Sequence, residues 1–378
     1  MLGIFLTTFI LLSLAYAVLI SFYFRGWKDS PETSTMKESP VNTRISVIIP
    51  ARNEEHHLPK LLKAIFSQYY PDHLLEVIVV DDHSEDQTAA IAKSFKGVYY
   101  IDMSVQSTDK ISTAYKKRAI ETAIRHSHGE LIVTTDADCE PGPYWLLSLA
   151  QAYEHTGAQM LAGPVAFRSA FSLFSQFQSL DFMTMQGITA AVLHFKIGTM
   201  CNGANLAYTR KAFDTVAGFQ GIDHIASGDD MLLMYKIEKS FPGSLSYLKN
   251  KESIVYTEPM STLSSFFHQR IRWASKASHF KDKRIVAVLA LVLMYNLHFL
   301  VGTVLAFFFP QLWIYLLLAL LAKIVIEFIF VRSLARFFGL QKELLIFPIL
   351  QFLHIPYIVI SGFLGQAGPY QWKGRRVH

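Results

Sequence analysis

Charged residues are scarce in this sequence. They make up 17% of the 378 residues, whereas hydrophobic residues make up 51%; in an ordinary soluble protein roughly a quarter of the residues are charged. The shortage of charge therefore indicates membrane-spanning segments. The formal net charge of +5 is small, and the positive residues collect beside apolar runs. This pattern suits an anionic membrane surface, and no nucleic-acid partner is predicted.

Cysteine is almost absent, and two common nucleotide-binding motifs are missing. Cys139 and Cys201 are too few for a disulfide framework and lack CxxC spacing, so the polar middle of the chain is predicted to be cytosolic. No GxxxxGK[ST] loop and no GxGxxG follows the first predicted strand. The sequence therefore disfavours P-loop kinases and dinucleotide-binding enzymes.

Long apolar runs lie at both ends of the chain. Residues 2–24 carry no charge and are followed by Arg25 and Lys28, which predicts a transmembrane anchor over residues 1–24. A secretory signal peptide is the alternative, because "AYA" at residues 15–17 resembles a cleavage site. No positive charge precedes the run, however, and the run continues past that site. A C-terminal membrane region of about three segments is predicted over residues 285–365, with a turn at Pro310.

The positions of the basic residues predict the topology. With the polar middle of the chain in the cytoplasm, Arg284, Arg332 and Arg336 are expected inside, in a multi-pass protein of a bacterial-type inner or plasma membrane. This leaves the basic tail, residues 366–378, outside unless the last segment is re-entrant or interfacial; a full span is slightly preferred. Lys323 and Glu327, four residues apart within one segment, are expected to pair with each other.

The polar middle of the chain has the pattern of an α/β domain. After a linker at 25–43, apolar runs at 44–50, 74–82, 97–103 and 130–138 alternate with helical patterns. They predict a mainly parallel sheet with helices on both faces, over residues 44–258. An amphipathic interfacial segment is predicted over residues 259–284. Ligands of such sheets bind beyond the carboxyl ends of the strands.

Acidic residues follow several of these predicted strands. Asp81 and Asp82 end the second, and Asp136 and Asp138 end the fourth. Two carboxylates two residues apart can both turn toward one hard divalent cation that also bridges to phosphate. A lone DxD is as often a solvated turn. Acidic residues also follow the first strand, in "PARNEE", and acidic residues at three neighbouring strand ends favour a site for a divalent cation and a diphosphate.

A second acidic pair precedes a helical pattern. Asp229 and Asp230 begin "DDMLLMYKI", where negative charge at a helix N-terminus is favourable in its own right. The same position also suits a general base that takes a proton from an attacking hydroxyl. The local sequence leaves both interpretations open.

Six motifs taken together resemble one known family. In chain order they are "IIPARNEE", "VIVVDDHSEDQT", "TTDADCEP", "CNGANLAYTRKAFDTVAGF", "SGDDMLLMYKI" and "QRIRW". The set resembles the membrane-bound family 2 glycosyltransferases of the GT-A fold, relatives of cellulose, hyaluronan, chitin and poly-N-acetylglucosamine synthases, over residues 44–273. The resemblance implies an inverting transfer of a sugar from a nucleoside diphosphate sugar, with a UDP-sugar as the expected donor.

The resemblance also implies roles for individual residues. The donor nucleoside would be bound by Ala51, Asn53, Glu54, Asp81 and Asp82. Asp136 and Asp138 would hold the diphosphate through Mg²⁺ or Mn²⁺, and Asp230 would be the general base, with Asp229 beside it. Gln269 and Arg272 would contact the diphosphate, Trp273 would border the acceptor, and Lys117 loosely matches a donor-binding lysine. The sequence departs from the family at DD in place of ED, and at "AYKKRAIETAI" in place of GKxxALN.

The QxxRW residues lie within the interfacial segment. Gln269, Arg272 and Trp273 are spaced i, i+3, i+4 and so share one helical face. The basic residues that follow them, Lys276, Lys281, Lys283 and Arg284, need only hold the membrane surface.

The acceptor and the type of product stay open at this stage. A lipid or a growing glycan fits equally, through single transfer or polymerisation, with accessory synthase subunits as further partners. An inactive sugar-nucleotide-binding subunit of a synthase complex is the alternative function. A transporter with a cytosolic regulatory domain is disfavoured because only about four hydrophobic segments are present.

Overall fold

The computed structural model describes residues 2–105, 114–168, 172–197, 200–225, 227–275, 282–365, 370–372 and 375–377. The chain divides into two compact units. The sheet unit comprises Asp29–Arg168 and Ile188–Pro259, and the helical unit comprises Met1–Lys28, Ser169–Gly187 and Met260–His378.

A seven-stranded sheet forms the centre of the sheet unit. Its order is β3-β2-β1-β4-β8-β6-β9, with bounds β1 Ile45–Ala51, β2 Leu75–Asp81, β3 Val98–Asp102, β4 Leu131–Thr134, β6 Met160–Ala162, β8 Leu206–Thr209 and β9 Leu245–Tyr247. All neighbours are parallel except β8, which is antiparallel to both β4 and β6. The first four strands are the predicted ones, and their near-continuous Val and Ile content fits strands covered on both faces. The prediction of a mainly parallel α/β sheet is confirmed.

Two smaller sheets complete the strand structure. One has the order β5-β10-β7 and consists of β5 Glu140–Pro141, β7 Val165–Phe167 and β10 Val255–Thr257. The other, in the helical unit, is the antiparallel pair β11 Tyr370–Trp372 and β12 Arg375–Val377.

The helices fall into two groups. The sheet unit contains α2 Leu58–Phe66, α3 Thr88–Ser94, α4 Tyr115–His126, α5 Trp145–Thr156, α7 Arg210–Thr215 and α8 Met231–Ser240. The helical unit contains α1 Leu2–Asp29 except for its last residue, α9 Leu263–Ser275, α10 Lys283–Ala306, α11 Leu312–Phe338 and α12 Phe347–Leu364. Helix α6, Leu173–His194, begins in the helical unit and ends in the sheet unit.

The segment predicted as a linker packs against the sheet unit. The backbone N–H of Thr33 donates to the carbonyl of Lys249 at 2.9 Å, and the Lys249 ammonium donates to the carbonyl of Ser30 at 3.1 Å. Further along, Glu154 Oε1 accepts from the backbone N–H groups of Asn42 and Thr43. These contacts explain why the compact unit begins at Asp29, ahead of the predicted start at residue 44.

The predicted domain differs from the sheet unit in a second place. Residues 169–187, expected inside the globular domain, belong to the helical unit. The reason is that the first part of α6 packs on the segment around α9. The Gln178 side-chain amide donates to the Met260 carbonyl and accepts from its N–H, each at 2.9 Å.

Within the part of the chain that the structure describes, four helices are long and apolar enough to cross a membrane. They are Leu2–Asp29, Lys283–Ala306, Leu312–Phe338 and Lys342–Leu364, the last including a preceding 3₁₀ turn. One lies near the N-terminus and three follow the sheet unit, as the sequence predicts. The last stays helical through Pro356. Of the predicted basic tail, the structure describes residues 370–372 and 375–377 only.

A charged pair is buried among three of these helices. Lys323 Nζ lies 2.5 Å from Glu327 Oε1 and 2.6 Å from Gln351 Oε1. The Gln351 amide donates to the other Glu327 oxygen at 2.7 Å, and the Tyr16 hydroxyl also donates to Glu327. The expected pairing of Lys323 with Glu327 is therefore present, and it ties α1 and α12 to α11. A buried pair with its remaining hydrogen-bonding groups satisfied avoids most of the cost of desolvated charge.

Removing one partner of this pair should destabilise the helical unit. We expect Lys323→Met to lower the free energy of unfolding by about 3 to 5 kcal/mol, because Glu327 is left as an uncompensated buried charge. Lys323→Met with Glu327→Leu should recover most of the loss. Thermal unfolding in detergent measures both, with the exposed Val325→Ala on the same helix as control. A single variant as stable as the wild type would contradict the account.

Candidate active site

The first cluster of predicted residues lies where β1 and β2 end. Ala51 and Asp81 are register partners, and the Asp82 N–H donates to the Ala51 carbonyl at 2.8 Å. Asn53 adopts a left-handed backbone conformation with φ of 53°, and its side-chain oxygen accepts from the N–H of Glu85 at 2.9 Å. The loops after the two strands are thus bound to each other beyond the carboxyl edge of the sheet.

The carboxylates of this cluster are buried and hydrogen-bonded. Asp81 accepts from the Ser84 N–H and from the Tyr100 hydroxyl, each at 2.9 Å. Asp82 contacts the His83 ring at 2.9 Å; burial raises the pKa of Asp82, although His83 acts in the opposite direction. Glu54 is 7% exposed, and its carboxylate lies 2.9 Å from the ring of His57. The structure therefore brings together all five residues predicted at the donor nucleoside.

A lysine lies between two of the predicted acidic residues. Lys116, on α4, has its ammonium 2.7 Å from Asp136 Oδ1 and 3.1 Å from Asp229 Oδ2. Burial acts to lower the pKa of Lys116, but Asp136 and Asp229 outweigh it and hold the pKa above its ordinary value. The ammonium is thus a fixed positive charge, and it compensates the acidic residues that the sequence places at these positions.

Asp138 lies two residues further along the same loop. Its Oδ2 accepts from the Thr257 hydroxyl at 3.4 Å, and the Cys139 thiol lies 3.8 Å from its Oδ1. Strand β4 ends at Thr134, so both predicted metal ligands belong to the loop after the strand.

Asp230 is the N-cap of α8. Its carboxylate accepts from the N–H of Met231 at 2.7 Å, a position that favours negative charge. The charge of Asp230 also acts on Lys116, so this cap lies beside the lysine cluster. Asp230 is therefore a helix cap, and it also lies close to the acidic cluster, as a general base would have to.

A glycine lies against this acidic group. Gly203 begins the 3₁₀ turn Gly203–Asn205. A Cβ at Gly203 would lie 3.2 Å from Asp229 Oδ2, 3.5 Å from Lys116 Nζ and 3.6 Å from the Asp230 Cβ. Even a methyl group at this position would press on Asp229, so glycine lets the turn pass close to the acidic group.

Lys117 points away from the acidic residues. It is 1% exposed, and its ammonium donates to the carbonyls of Ile222, Ile225 and Ser227 at 2.8, 2.7 and 2.9 Å. Consecutive residues of a helix point about 100° apart, so only one of the two lysines can face the cluster. The structure therefore brings Lys116 rather than Lys117 to the acidic residues, and Lys117 holds the loop that leads to Asp229.

The QxxRW residues lie on α9, in the helical unit. Gln269 Oε1 accepts from Arg270 at 2.9 Å, and the Trp273 ring stacks near the Phe182 ring of α6, with centroids 5.9 Å apart. The predicted helix is present. The residues that follow it at 276–281, which include Lys276 and Lys281, lie outside the described residues.

The carboxylates of this site are too few to hold a divalent cation alone, so a cation would bind here together with oxygen atoms of a substrate. Within the described ranges, no three His, Cys, Asp or Glu side chains form a group that could hold a metal. Asp136 and Asp138 supply hard oxygen ligands, however, and Asp136 already attracts a cation. Mg²⁺ commonly uses one or two carboxylates together with substrate phosphates, so these residues fit a metal that binds with a diphosphate.

Lys116, Gly203 and Tyr100 do not appear among the predicted site residues. A sequence signal for Lys116 exists, because "KKRA" aligns its first lysine with the lysine of the family's GKxxA pattern. Tyr100 and Gly203 carry no local signal, since their contacts come from neighbouring strands and turns.

Comparison with known proteins finds a family model that matches part of the chain. The family model "Glycosyl transferase family 2" matches residues 46–216. The chain is 28% identical over 260 residues to a probable glycosyltransferase, YdaM, of Bacillus subtilis, covering 66% of this chain and 56% of that protein. It is also 28% identical over 239 residues to the beta-monoglucosyldiacylglycerol synthase of Nostoc sp., covering 61% and 48%. The chain thus spans about half the length of these relatives.

A solved structure has the same fold. The mannosyltransferase PcManGT from Pyrobaculum calidifontis, solved with GDP-Man and Mn²⁺, aligns with a TM-score of 0.57 at 19% identity, covering 94% of this chain and 99% of that one. The alignment confirms the predicted GT-A-like architecture. Residues 46–216 thus carry a domain that matches the glycosyl transferase family 2 model.

Proposed function

We propose that this protein transfers a sugar, with inversion, from a nucleoside diphosphate sugar to a membrane-associated acceptor. The observation that carries the proposal is the cluster of Lys116, Asp136 and Asp229 beside the Asp230 cap. Positive charge for a diphosphate and a carboxylate for a hydroxyl proton lie together beyond the carboxyl ends of the strands. Ligands of open α/β sheets bind at this edge.

The donor nucleoside is assigned to the ends of β1 and β2. Asp81 and Asp82 offer carboxylate oxygens that accept from base or ribose hydroxyl and N–H groups, and Asn53 and Glu54 fix the neighbouring loop. UDP is the expected nucleotide. Because PcManGT was solved with GDP-Man, GDP-sugars belong in any test of the donor.

Departure of the nucleoside diphosphate leaves negative charge on its terminal phosphate. The Lys116 ammonium compensates part of this charge as it develops. A divalent cation, Mg²⁺ or Mn²⁺, held by Asp136 and Asp138 would supply further electrostatic stabilisation when bound. Gln269 and Arg272 are assigned to the same diphosphate, and Trp273 to the acceptor.

The attacking hydroxyl needs a base on the opposite face of the sugar. Asp230 is the proposed base and Asp229 its neighbour, held by Lys116 at 3.1 Å. The acceptor oxygen forms a bond to the anomeric carbon as the bond to the diphosphate oxygen breaks. The hydroxyl proton passes to Asp230, and the anomeric configuration inverts.

The acceptor is proposed to be a lipid or a glycan held at the membrane. Four helices of sufficient length and apolarity support a position at the bilayer. One relative is named a diacylglycerol glucoside synthase, which agrees with a lipid acceptor. We also propose that the sheet unit lies in the cytoplasm, because Lys and Arg residues that flank membrane segments are enriched on that side.

Replacing the proposed base should abolish turnover and spare nucleotide binding. We expect Asp230→Asn to lower the rate of nucleoside diphosphate release by about 10²- to 10⁴-fold, since general-base removal has effects of this size. Donor affinity, measured by calorimetric titration, should change little. Asp223→Asn is the matched control, because its side chain is 65% exposed in the preceding loop. Near-normal turnover of Asp230→Asn would eliminate this assignment.

The two adjacent lysines should give opposite phenotypes. Lys116→Met should weaken donor binding by about 10- to 100-fold, because hydrogen bonds to charged groups contribute about 1.5 to 3 kcal/mol. Lys117→Met should instead lower the unfolding temperature, since three carbonyls lose a buried donor. Donor titration and thermal unfolding of both variants separate the roles. If Lys117→Met is stably folded and binds the donor more weakly, while Lys116→Met binds it normally, the donor-binding role belongs to Lys117.

A further inference from the structure

One of the two residues between Gln269 and Arg272 of the QxxRW motif is a deeply buried arginine. The Arg270 side chain is 1% exposed. Its Nη2 donates to Asp181 Oδ2 of α6 at 2.8 Å, and its Nη1 donates to Gln269 Oε1 at 2.9 Å. A buried guanidinium is stable only with a partner charge, and Asp181, whose side chain is 8% exposed, supplies it.

The same guanidinium stacks on aromatic rings. Its central carbon lies 4.2 Å from the centroid of the Trp273 ring and 4.7 Å from that of Phe266. Both distances are within the range of cation–π contacts. Arg270 thus contacts two of the three QxxRW side chains, Gln269 through a hydrogen bond and Trp273 through its flat face.

Helix α12 reaches the same cluster. The Tyr357 hydroxyl donates to Asp181 Oδ2 at 3.4 Å, and the Tyr357 ring packs 5.3 Å from that of Phe266. At the end of α12, a Cβ at Gly365 would lie 2.4 Å from the Ala274 Cβ, so α12 approaches α9 closely just after Trp273. One of the four apolar helices is therefore packed directly on the motif helix.

We propose that Arg270 is a positioning residue. Held by Asp181, it fixes the side chains of Gln269 and Trp273, and through Tyr357 it makes their orientation depend on the packing of α12. The effect on transfer rests on the proposed function, which assigns Gln269 to the diphosphate and Trp273 to the acceptor. A misplacement of about 1 Å in a positioning group can cost about 10²-fold in rate, so the role is measurable.

Arg270→Lys separates positioning from charge compensation. Lysine keeps a positive charge beside Asp181, but it lacks the planar fork and the flat face that serve Gln269 and Trp273 together. We expect kcat/KM to fall about 10- to 100-fold, while the unfolding temperature in detergent stays close to that of the wild type. His268→Gln, at an exposed neighbouring position of α9, should leave both quantities unchanged.

A double-mutant cycle tests whether Arg270 acts through Gln269. If it does, the combined loss in Arg270→Lys with Gln269→Ala should be smaller than the product of the two single losses. Independent, multiplicative losses would contradict an action through Gln269.

Tryptophan fluorescence gives a readout that does not need activity. Loss of the stacked guanidinium should make Trp273 more accessible to acrylamide, so quenching should increase in Arg270→Lys. The chain has five tryptophans, and the increase should disappear when Trp273→Phe is added. This measurement stays valid if no sugar transfer is found in the wild type, an outcome that would refute the proposed function alone.

Wild-type kinetics together with wild-type quenching in Arg270→Lys would overturn the proposal. If Arg270→Lys does not fold, Tyr357→Phe is the variant to measure instead, because it removes only the hydroxyl bound to Asp181. It should change Trp273 quenching in the same direction and lower kcat/KM. No change in either quantity would overturn the inference.

Discussion

The candidate site depends on one electrostatic constraint: carboxylates gathered beyond the strand ends must be compensated by a cation. Lys116 meets this need between Asp136 and Asp229. Because the ammonium is bound on two sides, it fixes the loop after β4 relative to the start of α8. Under the proposed function, a diphosphate would meet positive charge that is already in place, which reduces the reorganisation that binding and bond cleavage require.

Different elements of the fold surround the Lys116 ammonium and hold different groups. Buried carboxylates lie at or just after the ends of the parallel strands β1 and β2, where the donor nucleoside is proposed to bind, and the antiparallel strand β8 follows the Gly203 turn that passes the acidic group. Lys117 ties the loop before α8 through three carbonyls. Within the helical unit, the Lys323 network and Arg270 each join several helices through buried charge.

The sequence predicts most of the sheet because hydrophobic strands and acidic strand ends are local signals. It also predicts the four apolar helices, whose length and lack of charge are local. The helical pattern alone does not choose between Lys116 and Lys117, since that choice depends on the rotation of α4 against its neighbours; the alignment of "KKRA" with GKxxA is the signal that favours Lys116. The sequence could not assign residues 29–43 and 169–187 to their units, because those contacts come from residues more than 70 positions away.

The central claim is that this site transfers sugar, and direct measurement of transfer tests it. The purified protein in lipid would be incubated with Mg²⁺ or Mn²⁺ and a panel of radiolabelled UDP- and GDP-sugars. The account predicts that label from one donor enters the lipid extract or a high-mass polymer, with release of the matching nucleoside diphosphate. Label in neither fraction and no nucleotide release, with a donor that binds, would contradict it and favour an inactive sugar-nucleotide-binding subunit.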